Sequence, residues 1–283
     1  MNKPAMQVLE SSSLTNPGRK RSNNEDCFLS LPEHGLWMVA DGMGGHEAGE
    51  VASAIVRETF DKSPGKALPG LIQEAHRAVL KAAEQGVGAQ GMGSTVVAIR
   101  HRRDHYDVAW VGDSRAYAYS RGGELEQLTT DHSYVQMLLE SGAIEPADAE
   151  NHPDKNIITQ CLGSQELDEV RVDTVTRPWH QGQWLLLCSD GLTDELSGRD
   201  IEHILRQCRT PAEATRELVA EALKAGGRDN VTVQVIAAPT QRRALLPALS
   251  HWVPVFTHSR RLDGVIYATA LFALVALLYW IFR

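Results

Sequence analysis

The chain has 283 residues, a formal net charge of -8 and four cysteines. That length allows one large domain or two ordinary ones with ample material for a core, and the acidity excludes nonspecific nucleic-acid binding, which needs a basic face. Cys27, Cys161, Cys188 and Cys208 lack the paired spacing of a zinc site and read as reduced core thiols.

Met1 to Leu14 contains one lysine and no long apolar run, so it does not read as a secretory signal, and the body of the chain is expected to face the cytosol. Val8 and Leu9 belong to a first strand, followed by a turn at Asn16, Pro17 and Gly18 and the basic run Arg19, Lys20, Arg21. Glu25 and Asp26 precede the strand-like Cys27, Phe28, Leu29. The apolar run Trp37 to Ala40 ends in Asp41, and the glycines that follow permit conformations and close approaches that a Cβ would resist. After His46, which starts it, a helix is predicted from Ala48, Val51, Ala52, Ile55, Val56, Thr59 and Phe60, the three-four spacing of one buried face.

A second helix spans about Pro69 to Glu84, with His76 one step from its apolar face and read as packed or solvated. Strands follow at Ser94 to Arg100, Tyr106 to Val111, Arg115 to Ser120 and Leu125 to Leu128. His101 and His105 read as part of a solvated hairpin turn, because their spacing suits a metal pair only on a helix. Asp131, His132 and Ser133 open a helix that runs through Leu139 and ends at Gly142. About Ala143 to Lys155 is polar and irregular, which suits a mobile flap near a site, with His132 tying the flap to the body.

Two more strands lie around Val170 to Val175 and Gln183 to Ser189. Two capped helices follow, one from Ser197 and one from the capping box Thr210, Pro211, Ala212, Glu213, the latter stopping at Gly226 and Gly227. Asp229 and Asn230 precede the alternating strand Val231 to Val235. Two early helices, many strands and two late helices read as helical layers around a sheet core.

Residues 239–262, with Arg242, Arg243, Pro247 and Pro254, read as a linker or membrane-skimming segment. Val265 to Phe282 is an uninterrupted apolar run long enough to cross a bilayer as a helix, with Tyr279 and Trp280 suited to its interface. A buried or interfacial helix is the alternative, disfavoured because the run has no polar face to show to water. His258, Arg260 and Arg261 precede the run and only Arg283 follows, so the positive-inside rule puts the amino-terminal side in the cytoplasm.

A lone Asp-Gly is a common turn signal, but here aspartates meet strand-like runs five times, at Asp26, Asp41, Asp113, Asp190 and Asp229. Converging carboxylates repel one another in a low-dielectric site, so either cations neutralise them or they do not converge. Gly18, Arg21, Asn24, Glu25 and Asp26, then Asp41 to His46, then Gly112 to Arg115, then Ser189 to Gly191, then Asp229 to Thr232 resemble, in order and spacing, the bacterial branch of the metal-dependent protein phosphatase (PPM, phosphatase 2C-like) family. The resemblance covers about residues 8 to 238 and implies an α+β fold, a four-layer αββα sandwich of two antiparallel sheets, to which the C-terminal transmembrane helix would be added. The expected domains are a phosphatase domain at 1–238, a linker at 239–262 and an anchor at 263–283.

The resemblance further implies that Asp26, Asp41, Asp190 and Asp229, with the carbonyl of Gly42, hold two Mn²⁺ or Mg²⁺ ions, directly or through water. Asp41 and Arg21 are the implied catalytic residues, Arg21 gripping the substrate phosphate. Glu25 would support metal waters, and Asp113 with Asp190 would hold a third, weaker ion. Hard divalent cations prefer such oxygen donors, and two of them acidify a bridging water and hold the resulting hydroxide in line with phosphorus. No cysteine has the phosphate-cradling setting of a thiol phosphatase. Met43 stands where eukaryotic relatives carry histidine, which leaves a metal-bound water as the default general acid. Asn16 and Gln160 replace a frequent aspartate and arginine.

The expected function is that of a serine/threonine protein phosphatase at the cytoplasmic (inner) membrane. It would reverse a bacterial Ser/Thr kinase, with phosphoproteins, that kinase and the membrane as partners and no nucleic acid. A silent phosphoprotein-binding scaffold and a hydrolase of small phosphoesters are the competing readings.

Overall fold

The computed structural model describes residues 9–45, 48–149 and 152–239. Its strands are β1 (Ser11–Asn16), β2 (Asp26–Leu31), β3 (Leu36–Met43), β4 (Gly93–Ser94), β5 (Val96–Arg102), β6 (His105–Val111), β7 (Arg115–Ser120), β8 (Leu125–Gln127), β9 (Asp173–Pro178), β10 (Gln183–Cys188) and β11 (Val231–Ala237). Its helices are α1 (Ala48–Lys62), α2 (Leu68–Glu84), α3 (Tyr134–Glu140), α4 (Pro146–Ala149), α5 (Asp190–Thr193), α6 (Gly198–Gln207) and α7 (Pro211–Ala225). The strands form two antiparallel sheets, ordered β1-β11-β10-β7-β8 and β2-β3-β5-β6-β9, with β4 added beside β3.

Period-two alternation sends successive side chains to opposite faces, and both faces of each sheet are used. Trp37, Val39, Val97, Ile99, Val108 and Trp110 of one sheet meet Ala116, Ala118, Leu185, Leu187 and Ile236 of the other. The outward residues Leu36, Met38 and Ala40 pack under Ala52, Val56 and Phe60 of α1 and Leu71, Ile72 and Val79 of α2. Leu186, Cys188, Val231, Val233 and Val235 pack under Ile201 and Leu205 of α6 and Leu218 and Val219 of α7. Polar residues of β11 also turn inward: buried Gln234 donates to the carbonyls of Met38 at 2.6 Å and Leu29 at 3.3 Å, and accepts from Ser13 Oγ at 2.8 Å. One side chain thereby ties the two sheets together.

The elements differ from the sequence expectation in specific ways. Asp41 does not end its strand, because Gly42 and Met43 continue β3 by pairing with Ser94 and Gly93. Val170 is not in a strand: the Gln73 side chain donates to its carbonyl at 2.6 Å and accepts its amide at 3.3 Å, so the pairing begins only at Asp173. His101 is buried rather than solvated, since alternation along β5 turns it edge-on to Trp179 with centroids 5.2 Å apart. At α7, Thr210 accepts the Glu213 amide, but the Glu213 carboxylate reaches past Thr210 to the amide of Arg209 at 2.7 Å, so only half of the expected box forms. At α6 the box is complete between Ser197 and Asp200.

Among the described residues no helix is long and apolar enough to cross a membrane. The expected transmembrane helix at 263–283, nearly all of the linker, and His46 lie outside the described residues.

Candidate active site

Five aspartates are delivered to one end of the paired sheets from five separate points along the chain. Asp26 opens β2 and stands directly opposite Asp41 of β3 in the antiparallel register. Cross-strand partners hold their Cβ atoms about 4.5–5.5 Å apart, a destabilising separation for like charges. Asp113 sits in the loop by which the chain passes from β6 of one sheet to β7 of the other. Asp190 follows β10 as the first residue of α5, and Asp229 directly precedes β11. At Gly42 the strand lies so close to α1 that a Cβ would come within 2.0 Å of the carbonyl oxygen of Gly49, and the Gly42 amide donates to Glu25 O at 3.1 Å. The carboxyl of Glu25 lies against Gly49 in the first turn of α1.

The electrostatics show convergence. Loss of water contact, then repulsion from Asp190 and Asp229 against the relief from Ser189, pushes the Asp26 carboxyl up to about 7. Burial, with Asp194 and Asp229 nearby, pushes Asp190 up to about 6. Asp41 is raised well above the carboxylate range by desolvation and by Asp26, Asp190 and Asp113, and Asp113 is raised by desolvation and Asp190. Burial also raises Glu25. Among the described residues, the buried oxygens Asp26 Oδ1, Asp113 Oδ1 and Asp190 Oδ1 have no hydrogen-bond partner.

Cations nearby are engaged elsewhere. Arg115 grips Asp131 through Nε and Nη2, Lys155 Nζ meets Asp194 at 2.8 Å, and Arg228 meets Glu195 at 2.9 Å. Among the described residues no lysine or arginine forms an ion pair with Asp26, Asp41, Asp113 or Asp190, whereas Arg21 Nη2 lies 2.6 Å from Asp229 Oδ2 and is raised by that bond. Crowded carboxyl oxygens that no side-chain ion pair neutralises fit hard divalent ions, which would displace the protons that crowding favours. Among the described residues no three such side chains close on one point as an all-protein cage. Beside the cluster, a cavity of about 550 Å³ extends from Asp113 and Asp190 past Val135 and Leu139 of α3 to Lys155 and Asn156 at the end of the flap. Burial pushes the Cys27 and Cys188 thiols up to about 12, so neither supplies a thiolate.

Residues 18–226 match the family described as Protein phosphatase 2C. The chain belongs to that family. It is 38% identical over 237 residues to the serine/threonine phosphatase stp of Listeria innocua, a match covering 78% of this chain and 93% of that protein. Among solved structures it is similar to the Mycobacterium tuberculosis serine/threonine phosphatase PstP/Ppp, with 37% identity and a TM-score of 0.74 over 82% of this chain and 99% of that one. The catalytic domain of PstP in complex with two manganese ions is 36% identical with a TM-score of 0.71, covering 81% and 98%.

Within this phosphatase 2C fold the aspartates depend on small polar residues to which the sequence reading gave no role. Thr95 donates its amide to Asp41 O at 2.8 Å, accepts the Asp41 amide at 3.1 Å, and shares a hydrogen bond with Ser114 Oγ at 2.7 Å, so it joins Asp41 to the Asp113 loop. Ser189 Oγ donates to Asp26 Oδ2 at 2.7 Å across the gap between the sheets. Asn230, quoted only as part of a motif, accepts the Glu25 amide at 2.7 Å and donates to Pro17 O and Asn23 O, which pins the segment carrying Arg21 and Glu25 beside Asp229. Gln160 accepts the amide of Arg171 and Asn16 accepts that of Gly18, so both departures from the family pattern have backbone partners.

Proposed function

We propose that the chain is a metal-dependent protein serine/threonine phosphatase. The observation that carries this reading is the convergence of Asp26, Asp41, Asp113 and Asp190, of which Asp26, Asp113 and Asp190 each have a buried oxygen with no hydrogen-bond partner and none has a side-chain ion pair among the described residues, in a chain of the phosphatase 2C family. Asp26, Asp41, Asp190 and Asp229 and the Gly42 carbonyl would hold two Mn²⁺ or Mg²⁺ ions, with Asp113 and Asp190 taking a weaker third. The chemistry such ions supply when bound is the acidification of an attacking water and the offsetting of charge on phosphoryl oxygens.

The protein's own groups do the rest. Glu25, fixed through its amide by Asn230, is placed to accept hydrogen bonds from water at the acidic cluster. Arg21 has donors beyond the one spent on Asp229, and its more than half-exposed guanidinium can fork onto a phosphate monoester. The cavity between the cluster and the flap gives room for the chain bearing that phosphate. Outside the described residues, Val265 to Phe282 anchors the phosphatase in the cytoplasmic membrane, with the catalytic domain in the cytoplasm facing a Ser/Thr kinase and its substrates; hydropathy and the flanking arginines support this.

The test is phosphate release from a phosphothreonine peptide by the full-length chain in MnCl₂. Turnover that EDTA and Asp190→Asn each abolish, and that exceeds turnover of a small aryl phosphate, is the expected result. Mn²⁺ binding without release from either substrate would replace this reading with that of a scaffold.

A further inference from the structure

We infer that His132, backed by Asp173, is a positioning residue that holds Asp113 in place and couples it to the base of the flap. This rests on the reading of Asp113 and Asp190 as a cation site. His132 is buried, and both of its ring nitrogens are occupied. The amide of Gly112 can only donate, so its 3.2 Å contact makes Nδ1 the acceptor and places the ring proton on Nε2, which faces Asp173 Oδ2 at 3.3 Å. Asp173 is itself gripped by Arg171, through Nε at 2.9 Å and Nη2 at 2.6 Å.

The backbone completes the hold. The His132 amide donates to Gly112 O at 2.9 Å, so one residue engages both polar backbone atoms of Gly112. Gly112 has φ +104°, and a Cβ there would lie 2.6 Å from Thr95 Cγ2, which leaves the loop no alternative side chain at that point. Asp113 follows with its Oδ1 buried and unpartnered. The orientation of that carboxylate is therefore set by the Gly112 peptide, and the Gly112 peptide by His132.

The same histidine closes the flap at its root. Its carbonyl accepts the Thr159 amide at 2.8 Å, Ser133 bridges Ile158, and the Tyr134 amide donates to Ile157 O at 2.8 Å. The two chain segments entering and leaving the flap thus meet at the residue that orients Asp113. With no polar ring atom left for substrate, His132 acts through Asp113 and not on the phosphate. Partners one step removed from a metal's ligands typically govern affinity by 10–100-fold.

The experiment is calorimetric titration of the metal-free full-length chain with MnCl₂, for wild type and for Asp173→Ala, His132→Asn and His132→Gln, with the melting temperature in EDTA reporting the fold. An asparagine oxygen reaches the place of Nδ1 and keeps the acceptor for Gly112, whereas glutamine reaches the place of Nε2 and loses it. The expected result is a weak Mn²⁺ class in wild type that His132→Gln weakens about tenfold or more, that Asp173→Ala and His132→Asn, which each lose the Asp173 link but keep an acceptor for Gly112, weaken less and to a similar extent, and tight binding that all variants preserve. A weak class unchanged in folded His132→Gln, or one that His132→Asn weakens as much as His132→Gln does, overturns the positioning role. Absence of any weak class in wild type overturns the cation reading of Asp113 and the inference with it, while leaving the tight sites standing.

Discussion

Ser189 is fully buried between a donor and an acceptor, and its hydroxyl decides how Asp26 is held: it donates to Asp26 Oδ2 at 2.7 Å and accepts the Thr232 amide at 3.0 Å. Alanine at this position strands a buried amide and strips the carboxylate of its side-chain partner, a loss of about 1–3 kcal/mol. Urea denaturation in EDTA checks this, and an unchanged midpoint would show that the two groups find other partners. Arg21 differs because it is largely exposed, so its pairing with Asp229 adds little to stability. Its effect belongs to substrate binding: Arg21→Ala is expected to lower kcat/KM for a phosphopeptide by roughly 10–100-fold, the worth of a charge-assisted hydrogen bond, with the urea midpoint unmoved. Unaltered kcat/KM would mean that the guanidinium stays with Asp229 throughout turnover.

At the scale of elements, α2 is fastened to the segment beyond the flap by one imidazole. His76 Nδ1 accepts the Gly163 amide at 3.1 Å and Nε2 donates to Leu167 O at 3.0 Å, a pattern that only the neutral ring can satisfy. Burial lowers the His76 pKa, so the unfolded chain takes up a proton that the native state refuses. The contribution of His76 is therefore intact above about pH 6.5, the free value, and is lost as pH falls below it. The urea midpoint of wild type should drop more between pH 7.5 and 5.5 than that of His76→Gln, a comparison that cancels buried His101; parallel declines would assign the loss elsewhere.

These elements were legible wherever one face is buried, because periods of two and 3.6 survive in the sequence. Their ends were not. The two-residue β4 has too little pattern to read, yet its pairing carries β3 through Asp41, and a side chain, Gln73, claims the backbone of Val170 that periodicity assigns to a strand. The aspartates stood out because each meets an apolar run, whereas Thr95 and Ser189, which fix two of them, are small hydroxyls with no periodic mark.

The whole molecule places its acidic residues across the joint between two layers. Asp26 and Asp41 belong to one sheet, Asp190 and Asp229 adjoin strands of the other, and Asp113 lies in the passage between them. Without cations these carboxyls relieve their crowding by holding protons at a cost to this end of the fold, while the packed Trp37, Trp110 and Leu187 and the Gln234 bridge hold the sheets together. Divalent ions held by both sheets, as proposed, would add attraction there, and ions that bind only the folded chain stabilise it by about 2.7 kcal/mol at a hundred times Kd. For a domain of this size that is roughly 5–10 °C in Tm. On the proposed reading, Asp190→Asn removes one repelling charge and one metal ligand together. In EDTA the variant is therefore expected to melt no lower than wild type, and in MnCl₂ to melt below it, so the two orders cross. A variant that melts lower by the same margin in both conditions would show that Asp190 is structural, and that the acidic cluster does not hold the sheets through metal.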